Sequence, residues 1–277
     1  MMRKILFVSL AALLAACAQV STTAPGTVGV NRPQYMAFSS DSFNRSMASS
    51  YSQMMQDASK KNTLNQDPAL TRRVNAIAGR LTPHTQIFRP DAPKWKWEVN
   101  VITSDQLNAF CAAGGKIAFY SGIIEKLKLT DDEIAAIMGH EIAHALREHG
   151  RERASQQMGT QLGLVVASIA IGANQSQMGL AGDMSKYLYL LPNSREHETE
   201  ADRMGVELAA RAGYDPRAAI SVWRKMQGMG ESQPPQFAST HPSHQTRIAD
   251  LERYSAMVMS LYEAASKKQR QSTAQAQ

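Results

Sequence analysis

The segment His140-Glu141-Ile142-Ala143-His144 constrains this chain more than any other, because it places two histidines one helical turn apart in a strongly helical stretch. Residues four positions apart share one face of a helix, about 6 Å apart at Cβ, so both imidazoles can reach one zinc ion. In an H-E-x-x-H pattern the glutamate can take the proton of a zinc-bound water. The segment therefore predicts a zinc-dependent hydrolytic site.

The alternative interpretation of this short motif is an exposed helix with two solvent-facing histidines. The flanking sequence disfavours it, because residues 134–145 are largely apolar and predict a buried helix. Buried imidazoles and carboxylates need partners, which a metal supplies. Thr130 and Glu133 form the T-x-x-E pattern of a capping box, so the helix should begin there. Gly150 is placed to end it, which predicts a surface position for His149.

A catalytic zinc needs a third protein ligand and an open position for water. The acidic segment 196–202 offers Glu196, Glu198 and Glu200, and spacing alone leaves all three open. Glu198 and Asp202 share a helix face, so one can bind the metal while the other holds a ligand histidine by its free ring nitrogen. A solvated acidic helix start, which the helix dipole favours, is the alternative.

H-E-x-x-H followed by E-x-x-x-D resembles the gluzincin peptidases of metallopeptidase family forty-eight, in particular their periplasmic lipoprotein branch. The resemblance covers most of residues 65–255. It implies that Glu198 is the third ligand of one zinc per chain, and that Asp202 supports a ligand histidine. It also implies an α+β, zincin-like fold that is mostly helical, with a small β-sheet or hairpin beside the H-E-x-x-H helix.

Asn108-Ala109-Phe110, with the following Gly114-Gly115, resembles the family's edge-strand hairpin above the active site. In such an arrangement an extended substrate pairs with the edge as an additional strand. The resemblance therefore implies a substrate-binding strand at residues 108–110.

His241 lies in the sequence T-H-P-S, which resembles the family's late His-Pro motif, whose histidine lies near the metal. Two roles remain open for His241. It can stabilise the oxyanion, or it can bind zinc as a fourth ligand that keeps the enzyme latent. His244 is expected to be an ordinary residue of the following helix turn.

The N-terminus has the pattern of an export signal, with two basic residues before the short apolar stretch 5–16. This stretch is too short to span a bilayer as a helix. It ends in L-A-A-C, which resembles a bacterial lipobox and implies cleavage before Cys17 and acylation of that residue. We therefore predict a signal peptide over 1–16 and a lipid anchor at Cys17 on the periplasmic face of the outer membrane. An ordinary cleavable signal, with an incidental cysteine, is the alternative.

Composition divides the rest of the chain. Residues 17–50 are rich in small and polar residues, which predicts a flexible tether behind the lipidated cysteine. Residues 51–265 carry the periodic patterns of a zinc metallopeptidase domain, and the polar residues 266–277 predict a disordered tail. The apolar run 162–173 is too short to cross a bilayer and predicts a buried helix, with a surface-dipping segment as the alternative.

Charge and cysteine content disfavour two other classes of protein. The formal net charge is +6 without a clustered basic stripe, so no nucleic-acid partner is expected. With Cys17 lipidated, Cys111 has no disulfide partner. A small buried side chain is favoured for Cys111 over a catalytic nucleophile, because the zinc motif already accounts for hydrolysis.

These features predict a zinc-dependent endopeptidase that cleaves periplasmic or outer-membrane proteins, misfolded or in assembly. His140, His144 and Glu198 would hold the zinc, and Glu141 would transfer the water's proton to the leaving amine. The alternative is a zinc-containing chaperone or assembly factor with little proteolysis. Its partners would be outer-membrane proteins or their assembly machinery.

Overall fold

The computed structural model describes residues 18–170, 192–229, 236–241 and 246–275 of the 277-residue chain. Within these ranges the strands are β1 (Ala18–Val20), β2 (Gln34–Met36), β3 (Glu98–Ile102), β4 (Ala109–Ala112) and β5 (Lys116–Tyr120). The helices are α1 (Ser40–Lys60), α2 (Pro68–Leu81), α3 (Ser121–Lys126), α4 (Asp131–Leu146), α5 (His149–Ala170), α6 (Arg195–Arg211), α7 (Ala218–Gln227), α8 (Gln236–Thr240), α9 (Arg247–Met257) and α10 (Met259–Gln275). The predicted fold class, mostly helical α+β with a small sheet, is confirmed.

A three-stranded sheet lies beside α4 in the order β3-β5-β4. β3 and β5 are parallel, whereas β4 and β5 form the predicted antiparallel hairpin, with Cys111 opposite Ile117. Three residues, 113–115, connect β4 to β5, because Ala112 pairs with Lys116. Gly114 and Gly115 in this turn have φ values of +78° and +83°, which glycine adopts without steric cost. β4 is therefore an edge strand of this described sheet.

Two glycines bring α4 against α6. A Cβ atom on Gly139 would lie 2.8 Å from the Gly205 carbonyl oxygen, and one on Gly205 would lie 2.8 Å from the His140 backbone nitrogen. Larger side chains would hold the helices apart, so these glycines place His140 directly over α6. The predicted capping box starts α4, since Thr130 Oγ1 accepts from Glu133 N and Thr130 N donates to Glu133 Oε2.

The end of α4 differs from the expectation. The helix ends at Leu146, and α5 already begins at His149. Glu148, between the two helices, has a φ of +53°, a left-handed conformation that is uncommon outside glycine. Gly150 therefore does not end α4, and the surface position predicted for His149 is wrong, because the turn at Glu148 carries this histidine into the interior, where it is 0% exposed.

The flexible tether predicted for residues 17–50 is wrong for residues 18–50. β1 pairs with β2, and α1 begins at Ser40. Val28 and Val30 belong to the main core, and Gln34 is fully buried. The small and polar composition resembles that of a linker, but several of its polar side chains are buried partners of the domain. The domain therefore begins well before residue 51.

The disordered tail predicted for 266–277 is wrong up to Gln275, where α10 ends. Gln269 Nε2 donates to the Ala212 carbonyl oxygen at 3.0 Å and attaches this polar helix to the end of α6. No helix within the described ranges has the length and apolarity to cross a membrane. The signal peptide, Cys17, His244 and the end of the apolar run beyond Ala170 lie outside the described residues.

Candidate metal centre

The metal-binding motif of α4 faces the acidic segment of α6. The Nε2 atoms of His140 and His144 lie 3.0 Å apart. Glu198 places one oxygen 3.5 Å from His140 Nε2 and the other 3.3 Å from His144 Nε2. All three side chains are buried. Their donor atoms converge on one point, as the ligands of one metal ion must.

The choice among the three glutamates of α6 is decided by the orientation of the helix. Glu198 is 0% exposed and faces both histidines, whereas Glu196 is exposed to solvent. Glu200 points away from this cluster to Arg147 and His149. Of the three glutamates, Glu198 is therefore the one that the structure brings to His140 and His144.

His241 joins the same cluster from the far end of the chain. Its Nδ1 atom lies 2.9 Å from Glu198 Oε1 and 3.1 Å from His140 Nε2. Its other ring nitrogen lies 3.3 Å from Glu141 Oε1. His140, His144, Glu198 and His241 thus form a set of possible metal ligands whose donor atoms lie within 4.8 Å of one another.

This donor set fits the predicted zinc cofactor. Imidazole nitrogens and one carboxylate are ligands that catalytic zinc uses. Burial opposes the charge of Glu198, but His241 and His140 outweigh it and hold the pKa of Glu198 well below its usual value, so the carboxylate is ionised. Burial lowers the pKa of His144 well below its usual value, so this imidazole is neutral. A neutral imidazole and an ionised carboxylate are the forms that bind a metal.

The carboxylate of Glu141 is buried beside the converging donor atoms. Burial raises its pKa, an effect that the charges of His241 and His140 partly oppose. Its Oε1 atom is buried without a hydrogen bond of good geometry, although His241 Nε2 is near. An oxygen in this state, beside the converging ligand atoms, is available to a water molecule on the metal.

Asp202 contacts the first histidine of the H-E-x-x-H motif. Asp202 Oδ1 lies 2.9 Å from His140 Nδ1, the ring nitrogen that points away from the ligand cluster. Burial alone would lower the pKa of His140, but the hydrogen bonds to Asp202 and Glu198 raise it to about 9. This arrangement fixes the imidazole and is the one that the family resemblance implies for Asp202.

Arg247 is a residue that the sequence interpretation missed. Its Nη1 donates to Glu198 Oε2 at 2.9 Å and its Nη2 to Asp202 Oδ1 at 2.7 Å. The guanidinium lies 3.7 Å from the ring centroid of Trp223. The sequence signal that could have identified Arg247 is its place on an amphipathic helix, next to Ile248 and four residues before Leu251.

The hairpin strand lines a cleft that opens onto these residues. The cleft is bordered by Asn108, Ala109 and Phe110 of the hairpin and by Glu141. Its wall also includes His144, His241, Asn193, Phe43 and Arg153. Cys111 also lines the cleft, is buried, and has a pKa that burial raises well above its usual value. A protonated thiol agrees with the favoured interpretation of Cys111 as a buried small side chain.

Residues 65–255 match the sequence profile of peptidase family M48. The chain belongs to this family. It is 38% identical over 152 residues to the mitochondrial metalloendopeptidase OMA1 of Arabidopsis thaliana, a stretch that covers 54% of this chain and 30% of that protein. It is 35% identical over 167 residues to the corresponding protein of Schizosaccharomyces pombe, with 57% and 47% covered.

A bacterial relative is the beta-barrel assembly-enhancing protease of Escherichia coli, which is 30% identical over 193 residues, 66% of this chain and 38% of that protein. The matched stretches span less than half the length of each of these three relatives. The predicted family is confirmed, and the M48 match includes every residue of the ligand cluster.

Proposed function

We propose that this chain is a zinc-dependent endopeptidase. The observation that carries the proposal is the buried Glu141 carboxylate beside the converging donors of His140, His144 and Glu198. When bound to these three ligands, zinc would lower the pKa of its water and polarise the scissile carbonyl group. Glu141 then takes the proton of the water and passes it to the leaving amine.

Residues 108–110, at the edge strand β4 of the described sheet, are the proposed substrate-binding strand. Asn108, Ala109 and Phe110 border the same cleft as Glu141, so a strand paired with β4 would bring its peptide bonds close to the general base. Arg153 adds a cation to the cleft wall; burial lowers its pKa to about 10, and Glu198 and Glu141 oppose that shift. Extended, unfolded polypeptide is the substrate class that this geometry favours.

We propose that His241 is a displaceable fourth ligand that keeps the site latent. Support comes from its Nδ1 atom, which lies among the proposed ligand atoms of Glu198 and His140. Its ring stacks on Phe237, with centroids 4.3 Å apart, and its backbone N–H donates to Phe237 O. Substrate binding would have to displace this ring before hydrolysis, a gating step.

The proposed setting is the bacterial cell envelope, with the chain anchored by lipid at Cys17 on the periplasmic face of the outer membrane. Support comes from the L-A-A-C sequence and from the Escherichia coli relative, whose name refers to β-barrel assembly. Substrates would be misfolded or assembling envelope proteins. Cys17→Ala should block lipidation and remove the chain from the outer-membrane fraction; normal processing and membrane retention of that variant would contradict the anchor.

Glu141→Gln tests the proposed activity with unfolded casein as substrate. The amide is nearly isosteric but is not a base at neutral pH, so cleavage should fall about 10²- to 10⁴-fold while zinc stays bound. Glu133→Gln is the matched control, because Glu133 is another buried carboxylate of α4 that lies outside the site. Cleavage by Glu141→Gln at the wild-type rate would rule out the mechanism.

The second candidate function is a zinc-containing chaperone or assembly factor with little proteolysis. The position of His241 among the ligands favours it, because a capped metal binds no water. Complementation separates the two functions. A Glu141→Gln variant that restores a deletion strain would indicate a binding function, whereas a protease would fail to restore it.

A further inference from the structure

The two ligand histidines of α4 differ in what holds their second ring nitrogen. His140 Nδ1 is held by a carboxylate, that of Asp202. His144 Nδ1 lies 2.8 Å from Nδ1 of His149, which is completely buried. On this side of the metal centre a second imidazole therefore takes the place of the carboxylate.

The contact between two ring nitrogens determines where the protons lie. A histidine that binds a metal through Nε2 carries its proton on Nδ1, so His144 donates to His149 Nδ1. His149 must then keep its own proton on Nε2, which lies 2.9 Å from Glu200 Oε2. The hydrogen bonds run in one direction, from His144 through His149 to Glu200.

Glu200 is held in turn by two arginines. Arg147 donates to it through Nε and Nη2 at 3.1 and 3.0 Å. Arg32 donates to it through Nε and Nη2 at 3.1 and 3.2 Å. Arg32 belongs to residues 22–36, which we call the N-terminal strap. The hydrogen bonds that begin at a metal ligand therefore end in a segment that is distant in sequence.

The N-terminal strap is fixed to the end of α4 by further buried hydrogen bonds. Gln34 Nε2 donates to Arg147 O at 2.7 Å and to Glu152 Oε2 at 2.6 Å. Arg147 Nη2 donates to Arg32 O at 2.9 Å. The strap and the turn after the metal-binding motif thus form one connected unit.

We propose that His149 is a positioning residue for the metal ligand His144, and that the N-terminal strap holds it in place through Arg32 and Glu200. This inference rests on the proposed zinc site. It makes zinc affinity depend on residues 22–36 through Glu200 and His149.

A second metal ion is the other use for this region, because His149, Glu152 and His197 also have metal-ligand distances. The hydrogen bonds disfavour it. Both oxygens of Glu152 accept from Arg32, at 2.6 and 2.9 Å. A cation there would have to displace the Arg32 guanidinium from Glu152. It would also lie near the positive charges of Arg147 and Arg153, which is costly in a buried site.

The test compares the zinc affinity of His149→Phe with that of His197→Phe, measured by chelator competition on folded protein. The ring of His197 stacks on that of His149, with centroids 4.3 Å apart, but its hydrogen bond goes to Glu152. His197→Phe is therefore the matched control. Loss of a group that supports a ligand histidine costs about 10- to 100-fold in metal affinity, and we expect this loss in His149→Phe alone.

Wild-type affinity in folded His149→Phe, or equal losses in both variants, would overturn the proposal. A second zinc per chain that His197→Phe removes would also overturn it, by making His149 a ligand. A wild-type protein without any bound zinc would instead contradict the proposed metal site, so the two failures are distinguishable.

Arg32→Met provides an independent test if His149→Phe fails to fold, because the Arg32 side chain is partly exposed. We expect a weaker loss of zinc affinity than in His149→Phe. The two losses should not add in the double variant, since both act through the same hydrogen bonds. Unchanged affinity in folded Arg32→Met, or full additivity, would overturn the role of the strap.

Discussion

Two neighbouring clusters of histidine and glutamate differ in how their charges are balanced. The metal-centre cluster consists of His140, His144, Glu198 and His241, and the second cluster consists of His149, Glu152 and His197. At the second cluster, Arg32 binds Glu152 and also the adjoining Glu200, and Arg147 binds Glu200 as well, so two guanidinium groups serve two carboxylates.

At the metal-centre cluster, Arg247 donates to both Glu198 and the adjoining Asp202. Two carboxylates there share the hydrogen bonds of one guanidinium group. The histidines of the two clusters also differ in pKa. Hydrogen bonds to Asp202 and Glu198 overcome burial and raise the pKa of His140 to about 9. Burial lowers the pKa of His149 well below its usual value. Proximity of ligand-type residues does not by itself define a metal site, because a carboxylate that already pairs with an arginine would have to give up that partner to bind a metal ion.

The largest expected effect tests directly which of the two clusters binds zinc. Glu198→Ala should lower the zinc content from about one per chain to nearly none, because a catalytic site has only three protein ligands besides the displaceable position. Glu152→Gln, in the second cluster, should keep full zinc content. Elemental analysis of both purified variants checks this. Zinc loss in Glu152→Gln, with zinc retained in Glu198→Ala, would reverse the assignment of the two clusters.

Arg247→Met should lower the free energy of unfolding of metal-free protein by about 3–5 kcal/mol, the cost of leaving buried carboxylates without their partner. Zinc supplies the missing positive charge, so saturating zinc should recover more stability here than in Arg147→Met. Denaturant unfolding with and without zinc measures both quantities. Equal recovery in the two variants would show that charge balance does not distinguish the clusters.

His241 reaches the metal-centre cluster from a separate short segment, residues 236–241. The second cluster, as described, has no residue in a corresponding position. If it caps the metal, and the open form is populated at 10% or less, His241→Ala should raise basal casein cleavage about tenfold or more. A rate that falls by about 10²-fold would instead indicate a donor to the oxyanion. An unchanged rate, with zinc and fold intact, would remove His241 from the site.

Glu133 is a buried carboxylate outside both clusters, so it serves as a reference for the effect of losing such a group. Burial raises its pKa, but Lys225, Ser221 and Thr130 outweigh this and lower it. Glu133→Gln should cost about 1 kcal/mol at pH 7, from the lost cap and ion pair. A depressed folded pKa stabilises the protein above the unfolded pKa of about 4.3, and this stabilisation is lost as the pH falls through the folded value. The stability difference between wild type and variant, followed from pH 7 to pH 3, should therefore shrink; a constant difference would contradict this.

The sequence predicted the elements whose signals are local. The H-E-x-x-H helix with its capping box at Thr130, and the hairpin around Gly114-Gly115, depend on spacings of a few residues, which periodicity and turn chemistry report directly. Glu198 and Asp202 were placed on one helix face for the same reason. Spacing did not choose among the three glutamates of α6, because it gives relative faces and not the rotation of one helix against another.

Only the tertiary structure decided that rotation, through the close contact of Gly139 and Gly205. It also decided the burial of His149, which depends on the left-handed Glu148, and the packing of the N-terminal strap, whose composition matches that of a linker. Arg247 and Arg32 reach their carboxylates from segments that are distant in the chain. Such pairings have no periodicity, because a buried charge is balanced by whichever partner the fold brings near. The convergence of His140, His144 and Glu198 could be predicted from the sequence and the family resemblance, whereas the charges that surround them could not.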